Sequence, residues 1–202
     1  MLIPGCRTFR PPRHMAPPAA LFNRPLHLEW GYYGVQRRLF LEEFISSEEP
    51  DGLVEINIRC SDGKAILGSV ILHNKTERMQ AAYIETDGSR AAWNDVSLTH
   101  ARIPRDYTIP ACYHRAVEIG KKLSAGRDYL RVDFMSAGEQ LYAGEITVYP
   151  SGGLSRARPS GAKSGEAIIG ENWDLTKSWF LTSPQRGLKK TYASWLREAL
   201  ET

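Results

Sequence analysis

Cysteine is scarce in this sequence, and the three residues present, Cys6, Cys60 and Cys112, lie far apart. Their odd number and the lack of any CxxC pair argue against a disulfide framework and against a structural zinc site. Long apolar runs are also lacking, since no stretch approaches the roughly 20 residues that a membrane-spanning helix needs. Early prolines interrupt any secretory-type apolar region. We therefore expect a cytoplasmic protein without a membrane span.

The sequence also lacks a large excess of charge of one sign. Lysine and arginine number 26 against 23 acidic residues, so the formal net charge is +3. An excess of this size gives no argument for a nucleic-acid partner. The hydrophobic fraction of 42% in 202 residues is that of an ordinary globular chain with a sizeable core.

The chain divides into three parts by composition and periodicity. Residues 1–27 are rich in proline and arginine, and we predict them to be irregular. Residues 28–175 carry strand patterns at 38–45, 53–60, 65–73 and 80–85, which predict one antiparallel meander, followed by a helix over 110–125. Residues 176–202 form a C-terminal segment whose apolar positions from Leu188 to Ala199 predict a helix. The pattern as a whole predicts an α+β fold, an antiparallel sheet with flanking helices.

The hairpin formed by RDYLRVDFM and QLYAGEITVY contains the most informative residues. Side chains alternate across a strand, so Arg131 and Asp133 share one face. A turn centred near Gly138 puts Glu145 across from Arg131, with Asp133 across from Ala143, so that the two acids are diagonal neighbours. Two carboxylates at that spacing are able to share a magnesium ion on nucleotide phosphates. The alternative is an ordinary half-exposed hairpin with a cross-strand Arg131–Glu145 ion pair.

The residues RVDF, a short turn and then GEITVYPSGG resemble the C-terminal core of ATP-grasp enzymes. Within that superfamily the chain is most similar to the TupA-like proteins, which are linked to bacterial cell-surface polymer synthesis. LFLEEFI, the Pro50–Asp51 turn before LVEINIRCSDGK and the helix before the hairpin extend the resemblance, in the same order. It covers roughly residues 28–175, which would be the ATP-grasp-like core.

The resemblance implies a site, position by position. Asp133 and Glu145 would be the magnesium ligands, with Thr147 where many ATP-grasp ligases have an asparagine ligand, and Arg131 would be the catalytic residue that faces the transferred phosphoryl group. The hinge that reads adenine would be Glu42, Glu43, Phe44 and Ile45, and Asp51 would accept the ribose hydroxyls. Arg78, in the charged turn HNKTERMQ, would approach the phosphates, unless that turn is simply solvated.

The resemblance implies an ATP- and Mg²⁺-dependent ligase. It would activate a small-molecule carboxylate as an acylphosphate for capture by an amine, with substrates that are sugar-linked if the role in surface polymers holds. The sequence also departs from the family pattern. The family's nucleotide-covering lobe and its phosphate-binding lysine find no counterpart ahead of the hinge, and Gly52 and Val54 stand near where relatives place a lysine. Two other functions stay open: an inactive ATP-grasp remnant that serves as a binding or assembly module, and a small β-rich ligand-binding domain that binds no nucleotide. A start upstream of Met1 also stays open.

Overall fold

The structure is a computed structural model that describes residues 7–9, 39–41, 43–91, 101–150 and 164–201. These residues belong to two compact units. The first unit contains the described residues up to Ser46 together with Tyr149 and Pro150. The second contains the described residues from Ser47 to Val148 and from Ser164 to Glu201.

The first unit contains a small antiparallel sheet. Its strands are β1 (Arg7–Phe9) and β2 (Leu39–Leu41), paired with Arg7 opposite Leu41. The prediction that residues 1–27 are irregular is therefore wrong for Arg7–Phe9. We predicted residues 38–45 to be a strand of the meander, and this placement is wrong, because the partner of β2 is β1 and residues 43–48 have no regular structure.

The second unit is built on a six-stranded sheet. In chain order its strands are β3 (Val54–Ser61), β4 (Lys64–Leu72), β5 (Gln80–Ile84), β6 (Ala101–Arg102), β7 (Leu130–Ala137) and β8 (Gln140–Thr147). Their spatial order is β6-β5-β4-β3-β7-β8. All neighbouring strands are antiparallel except β5 and β6, which are parallel. The predicted α+β class is confirmed, and the sheet is mixed at one edge.

Two turns hold the strands in register. The β3–β4 hairpin turns at Asp62 and Gly63, whose φ angles are 45° and 77°. An Asp-Gly pair with positive φ at both positions is the preferred two-residue hairpin turn, and the sequence predicted it. The β7–β8 hairpin turns at Gly138 and Glu139, with Ala137 opposite Gln140. These two hairpins meet where β3 pairs with β7.

One face of the sheet is covered by helix α1 (Tyr113–Ser124). The apolar residues of β3, Ile56, Ile58 and Cys60, are fully buried in this core. A Cβ atom at Gly120 of α1 would lie 3.0 Å from Cys60 Sγ, so the missing side chain allows the helix to approach the strand closely. Gly126, with φ of 71°, follows the helix end as predicted.

Helices follow the sheet in the C-terminal part. They are α2 (Gly165–Glu171), a 3-10 turn (Leu175–Lys177), α3 (Trp179–Thr182) and α4 (Leu188–Glu201). The predicted terminal helix is confirmed as α4, but its apolar face is largely exposed, with Leu188 at 90% and Trp195 at 58%. No helix in the described ranges is both long and apolar enough to cross a bilayer.

Candidate active site

The face of the sheet opposite α1 carries the polar residues. Because side chains alternate along a strand, burying Ile56, Ile58 and Cys60 of β3 against the helix directs the intervening polar residues to the other face. The same rule applies to β7, where Val132 and Phe134 are buried in the core. The polar residues of β3 and β7 therefore share one face: Glu55, Asn57 and Arg59 from β3, and Arg131 and Asp133 from β7.

The register of the β7–β8 hairpin differs from the predicted one. Asp133 lies directly opposite Glu145, and Arg131 opposite Thr147, whereas we expected Arg131 across from Glu145 and the two acids on a diagonal. Two differences combine to cause this. The turn is centred between Gly138 and Glu139 and not on Gly138, which shifts the pairing by one residue, and a bulge between Asp133 and Phe134 leaves Gly144 as an extra residue on β8, which shifts it by one more. Glycine is common at such bulges, and a Cβ there would lie 3.1 Å from the Asp133 carbonyl oxygen.

The bulge brings the two acids closer together than the sequence indicated. Directly opposite residues on one face have Cβ atoms about 4.5 to 5.5 Å apart, against roughly 7 to 8 Å on the diagonal. Asp133 is buried, at 7% exposure, and Glu145 is exposed. The pair thus has one acid fixed in the sheet and one open to solvent.

Asp133 is held by a bidentate ion pair with Arg131. Arg131 Nε donates to Asp133 Oδ1 at 2.8 Å, and Nη2 donates to Oδ2 at 2.7 Å. Nη2 also donates to Thr147 Oγ1 at 3.2 Å. Paired N–H donors on a carboxylate are among the strongest hydrogen bonds in proteins. Three residues that the sequence assigned to the site are therefore connected: Arg131, Asp133 and Thr147.

The electrostatics of this group follow from the same contacts. Burial acts to lower the pKa of Arg131, but the hydrogen bonds and charge of Asp133 outweigh it, with help from Glu145, so the pKa lies above its usual value. Arg131 is therefore a permanent cation in the site. The charge of Glu145 acts on Arg131 although Glu145 lies opposite Asp133 in the register.

The sequence analysis missed Asn57, which lies opposite Asp133 on β3. Asn57 Nδ2 donates to Asp133 Oδ1 at 2.6 Å and to Glu55 Oε1 at 3.0 Å. One amide nitrogen therefore binds two carboxylates. Asn74 Nδ2 donates to the other oxygen of Glu55. The alternation of polar and apolar residues in VEINIRC was the signal that places Glu55 and Asn57 on one face.

Arg59 continues the same row of β3 and was also missed. Its Nη1 donates to Ser69 Oγ at 3.2 Å, and its guanidinium lies 5.4 Å from the centre of the Tyr83 ring. Ser69 Oγ lies 3.4 Å from Asn57 Oδ1, at the long end of a hydrogen bond. The polar face therefore extends as one chain of contacts from Tyr83 on β5 to Thr147 on β8.

The other predicted residues have contacts of their own. Asp51 Oδ1 lies 3.8 Å from His73 Nε2. The side chain of Arg78 is exposed in the turn before β5, and its backbone N–H donates to Thr76 Oγ1 at 3.2 Å. Glu43, Phe44 and Ile45 belong to the first unit, where Phe44 is 88% exposed. Glu42 lies outside the described residues.

The oxygen donors fit the requirements of a magnesium–nucleotide site in number and kind. In the part of the chain that the structure describes, no three His, Cys, Asp or Glu residues are grouped as a metal cage. Magnesium on phosphates does not need one, because one or two carboxylates complete a shell that phosphates and water mostly supply. Asp133 and Glu145 are two such carboxylates, and Thr147 adds a hydroxyl. Arg131 is ion-paired with Asp133, so it must release at least one carboxylate oxygen before Asp133 binds a metal ion.

The profile described as "TupA-like ATPgrasp" matches residues 28–172, which is most of the chain. The chain belongs to the TupA-like ATP-grasp family. Comparisons with curated proteins and with solved structures gave no significant match.

Family membership supports a coarse function. ATP-grasp proteins are in general ATP-dependent, ligase-type proteins that act on small molecules and use ATP with Mg²⁺. The expected family is confirmed by the match, and the residues that resemble it in the hairpin fall within the matched range.

Proposed function

We propose that this protein is a Mg²⁺- and ATP-dependent carboxylate–amine ligase whose reaction takes place on the polar face of the sheet. The observation that carries the proposal is the cluster of Arg131, Asp133, Glu145 and Thr147 on the paired strands β7 and β8. The two acids lie opposite each other on neighbouring strands, and the Arg131 guanidinium is held next to them by Asp133. The family match over residues 28–172 supports the reaction class.

Asp133, Glu145 and Thr147 are the residues we assign to hold the magnesium ion. All three offer oxygen atoms, which magnesium prefers. The bound ion would neutralise charge on the phosphate oxygens of the nucleotide. Asp133 already accepts three hydrogen bonds from Arg131 and Asn57, so its carboxylate is fixed in direction before any ligand arrives. Glu145 is exposed, so its side chain is able to change conformation when the ion binds.

Arg131 is the residue we assign to the transferred phosphoryl group. A guanidinium matches two oxygens of a phosphoryl group as well as it matches a carboxylate. In the reaction, a carboxylate oxygen of the substrate forms a bond to the γ-phosphorus and the bond to ADP breaks. An amine then attacks the acyl carbon of the acylphosphate, phosphate leaves and an amide forms. Arg131 stabilises the charge that develops on the phosphoryl oxygens.

The nucleotide-reading residues remain part of the proposal. Glu42, Glu43, Phe44 and Ile45 would contact adenine, Asp51 the ribose hydroxyls and Arg78 the phosphates. The exposed ring of Phe44 and the partly exposed carboxylate of Asp51 support their availability to a ligand. We also propose residues 28–175 as the family core, with 1–27 and 176–202 as flanking segments, and a cytoplasmic role in cell-surface polymer synthesis with sugar-linked substrates.

The test is an Asp133→Asn variant, measured by calorimetric titration with Mg-ATP. The variant keeps the size of the side chain but removes the charge, so we expect Mg-ATP affinity to fall at least tenfold, as is usual for the loss of a charged ligand. Asp128→Asn is the matched control. Asp128 is equally buried, at 7% exposure, and accepts a hydrogen bond from Trp173 Nε1 at 3.1 Å.

Thermal unfolding of both variants separates lost binding from lost folding. If Asp133→Asn binds Mg-ATP as tightly as the parent, Asp133 is not a ligand and the assignment is wrong. A parent protein whose melting temperature does not respond to excess Mg-ATP would favour the second candidate, a non-catalytic binding module of ATP-grasp fold. The observation that favours this candidate is the Arg131–Asp133 ion pair, in which the carboxylate of the proposed metal ligand is already bound by a guanidinium.

A further inference from the structure

Arg59 and Arg131 form an unusual pair in the sheet. They lie directly opposite each other on β3 and β7 and share the polar face. Like charges in this position repel, since their Cβ atoms are about 5 Å apart. A neutral side chain at position 59 of β3 would be buried at a lower free-energy cost than a charged one. The fold alone therefore gives no reason for a second guanidinium here.

The charges around the two arginines do not balance within the site. Asp133 pairs with Arg131 in a bidentate manner. Within the described ranges no carboxylate pairs with Arg59, whose contacts are the Ser69 hydroxyl and the face of the Tyr83 ring. Arg59 is half-buried, so water compensates its charge only in part. Most of its N–H donors have no acceptor from the described residues.

We propose that Arg59 is the anion-binding residue for the substrate carboxylate, with Ser69 and Tyr83 positioning its guanidinium. This inference rests on the proposed ligase function and names the group that holds the reacting substrate. The Tyr83 ring covers one face of the guanidinium, and Ser69 fixes one of its nitrogens. The remaining N–H groups along the edge of the guanidinium are then left to bind a planar anion with two oxygens.

A carboxylate fits this position better than a phosphoryl group. Arg131 is assigned to the transferred phosphoryl group, and the attacking carboxylate must lie about 3 to 3.5 Å from the phosphorus. Residues opposite each other on neighbouring strands hold their ligands at neighbouring positions. A carboxylate on Arg59 therefore lies beside a phosphoryl group on Arg131, which is the arrangement that phosphoryl transfer to a carboxylate needs.

The experiment uses the full chain with simple anions as probes. Sodium succinate and sodium acetate represent carboxylates, inorganic phosphate represents the phosphoryl group, and sodium chloride at equal ionic strength is the background. Binding is followed by calorimetry and by the arginine Nε–Hε resonances in NMR spectra. We expect succinate to shift the Arg59 resonance and an Arg59→Met variant to bind succinate about tenfold or more weakly. Its Mg-ADP affinity should change by less than about twofold.

Arg90→Met is the matched control. Arg90 is also a half-buried arginine, but its guanidinium donates to the backbone oxygens of Ile103 at 2.9 Å and Pro104 at 2.7 Å. This change should lower stability and leave succinate affinity as it is. Arg59→Lys is the second variant, in case Arg59→Met does not fold. Lysine keeps the positive charge but lacks the planar, paired N–H donors of a guanidinium, so this variant should recover only part of the succinate affinity.

Each other outcome overturns the inference. Equal succinate binding by the parent and Arg59→Met, or no carboxylate binding by the parent, shows that Arg59 is structural. A loss of phosphate and Mg-ADP affinity without a loss of succinate affinity assigns Arg59 to the nucleotide. Failure of the ligase proposal is seen separately: the parent then fails to bind Mg-ATP while succinate still binds through Arg59.

Discussion

At the scale of single residues, Asn57 decides how the acids of the site coexist. Its side-chain nitrogen donates both to Glu55, two residues away on β3, and to Asp133, opposite it on β7. Two nearby carboxylates raise each other's pKa and repel. An amide is neutral and supplies two N–H donors, so it joins the acids without adding charge. Asn57 thus allows a second buried acid, Glu55, beside the proposed metal ligand Asp133.

An Asn57→Asp variant tests this role. It exchanges a donor for a third carboxylate, so we expect the free energy of unfolding to fall by about 3 kcal/mol in the absence of divalent cations. Because three acids bind a cation better than two, added Mg²⁺ should recover part of this loss. Urea unfolding with and without MgCl₂ measures both effects. Asn74→Asp, which alters a donor to Glu55 alone, is the control, and an equal magnesium response in both variants would contradict the prediction.

At the scale of secondary-structure elements, the packing of α1 on the sheet depends on one glycine. A Cβ atom at Gly68 of β4 would lie 1.9 Å from the hydroxyl oxygen of Tyr113, the first residue of α1. That buried hydroxyl donates to the backbone oxygens of Ile84 and Glu85, both at 3.1 Å. Gly68 therefore makes room for a tyrosine that ties the helix to the end of β5.

A Gly68→Ala substitution should lower stability sharply. Overpacking typically costs about 1 to 3 kcal/mol, and loss of the buried hydroxyl contacts adds about 1 kcal/mol. Thermal or urea unfolding measures the sum. Gly68→Ala with Tyr113→Phe should recover only part of it, because the ring carbons Cζ and Cε2 would still lie 2.7 and 2.9 Å from the new Cβ. Gly170→Ala in α2, with nothing within 4 Å, should be neutral or slightly stabilising. Equal effects at Gly68 and Gly170 would contradict the prediction.

Local patterns predicted the elements well where the sequence itself determines the geometry. The Asp62–Gly63 turn, the strands around it and the end of α1 at Gly126 follow from residue type and alternation. The pairing of β2 with β1 is a contact between distant segments, and no local pattern encodes it. The parallel edge pair of β5 and β6 is missed for the same reason.

The site itself was predicted in part. RVDF and GEIT placed Asp133, Glu145 and Arg131 on the paired strands. Arg131 and Asp133 share a face by alternation along β7, whereas Glu145 reaches that face only because of the bulge on β8. The register did not follow, because the turn at Gly138 and Glu139 and the bulge at Gly144 each shift the pairing by one residue. Sequence alternation shows neither the centre of the turn nor which glycine is left unpaired. The alternation of β3 is enough to predict that Asn57 and Arg59 share a face, but their partners depend on which strand pairs with β3.

At the scale of the whole molecule, ligand binding should depend on the state of the Arg131–Asp133 ion pair. In the structure, Arg131 donates to both oxygens of Asp133. A magnesium ion alone must displace a guanidinium from a buried carboxylate, which leaves that guanidinium without an anion. A nucleotide supplies phosphate oxygens for Arg131 and frees Asp133 in the same step. Magnesium and nucleotide are therefore expected to stabilise the protein together far more than separately.

An Arg131→Met variant should change the two responses in opposite directions. With the guanidinium gone, Asp133 is open to cations, so MgCl₂ alone should raise the melting temperature more than it does in the parent. The response to Mg-ATP should become smaller, because the phosphoryl group loses its bidentate partner. Thermal unfolding with MgCl₂, ATP and both together, in parent and variant, measures the coupling. If the variant loses both responses in parallel, Arg131 does not separate metal from nucleotide, and the ion pair at Asp133 serves the fold alone.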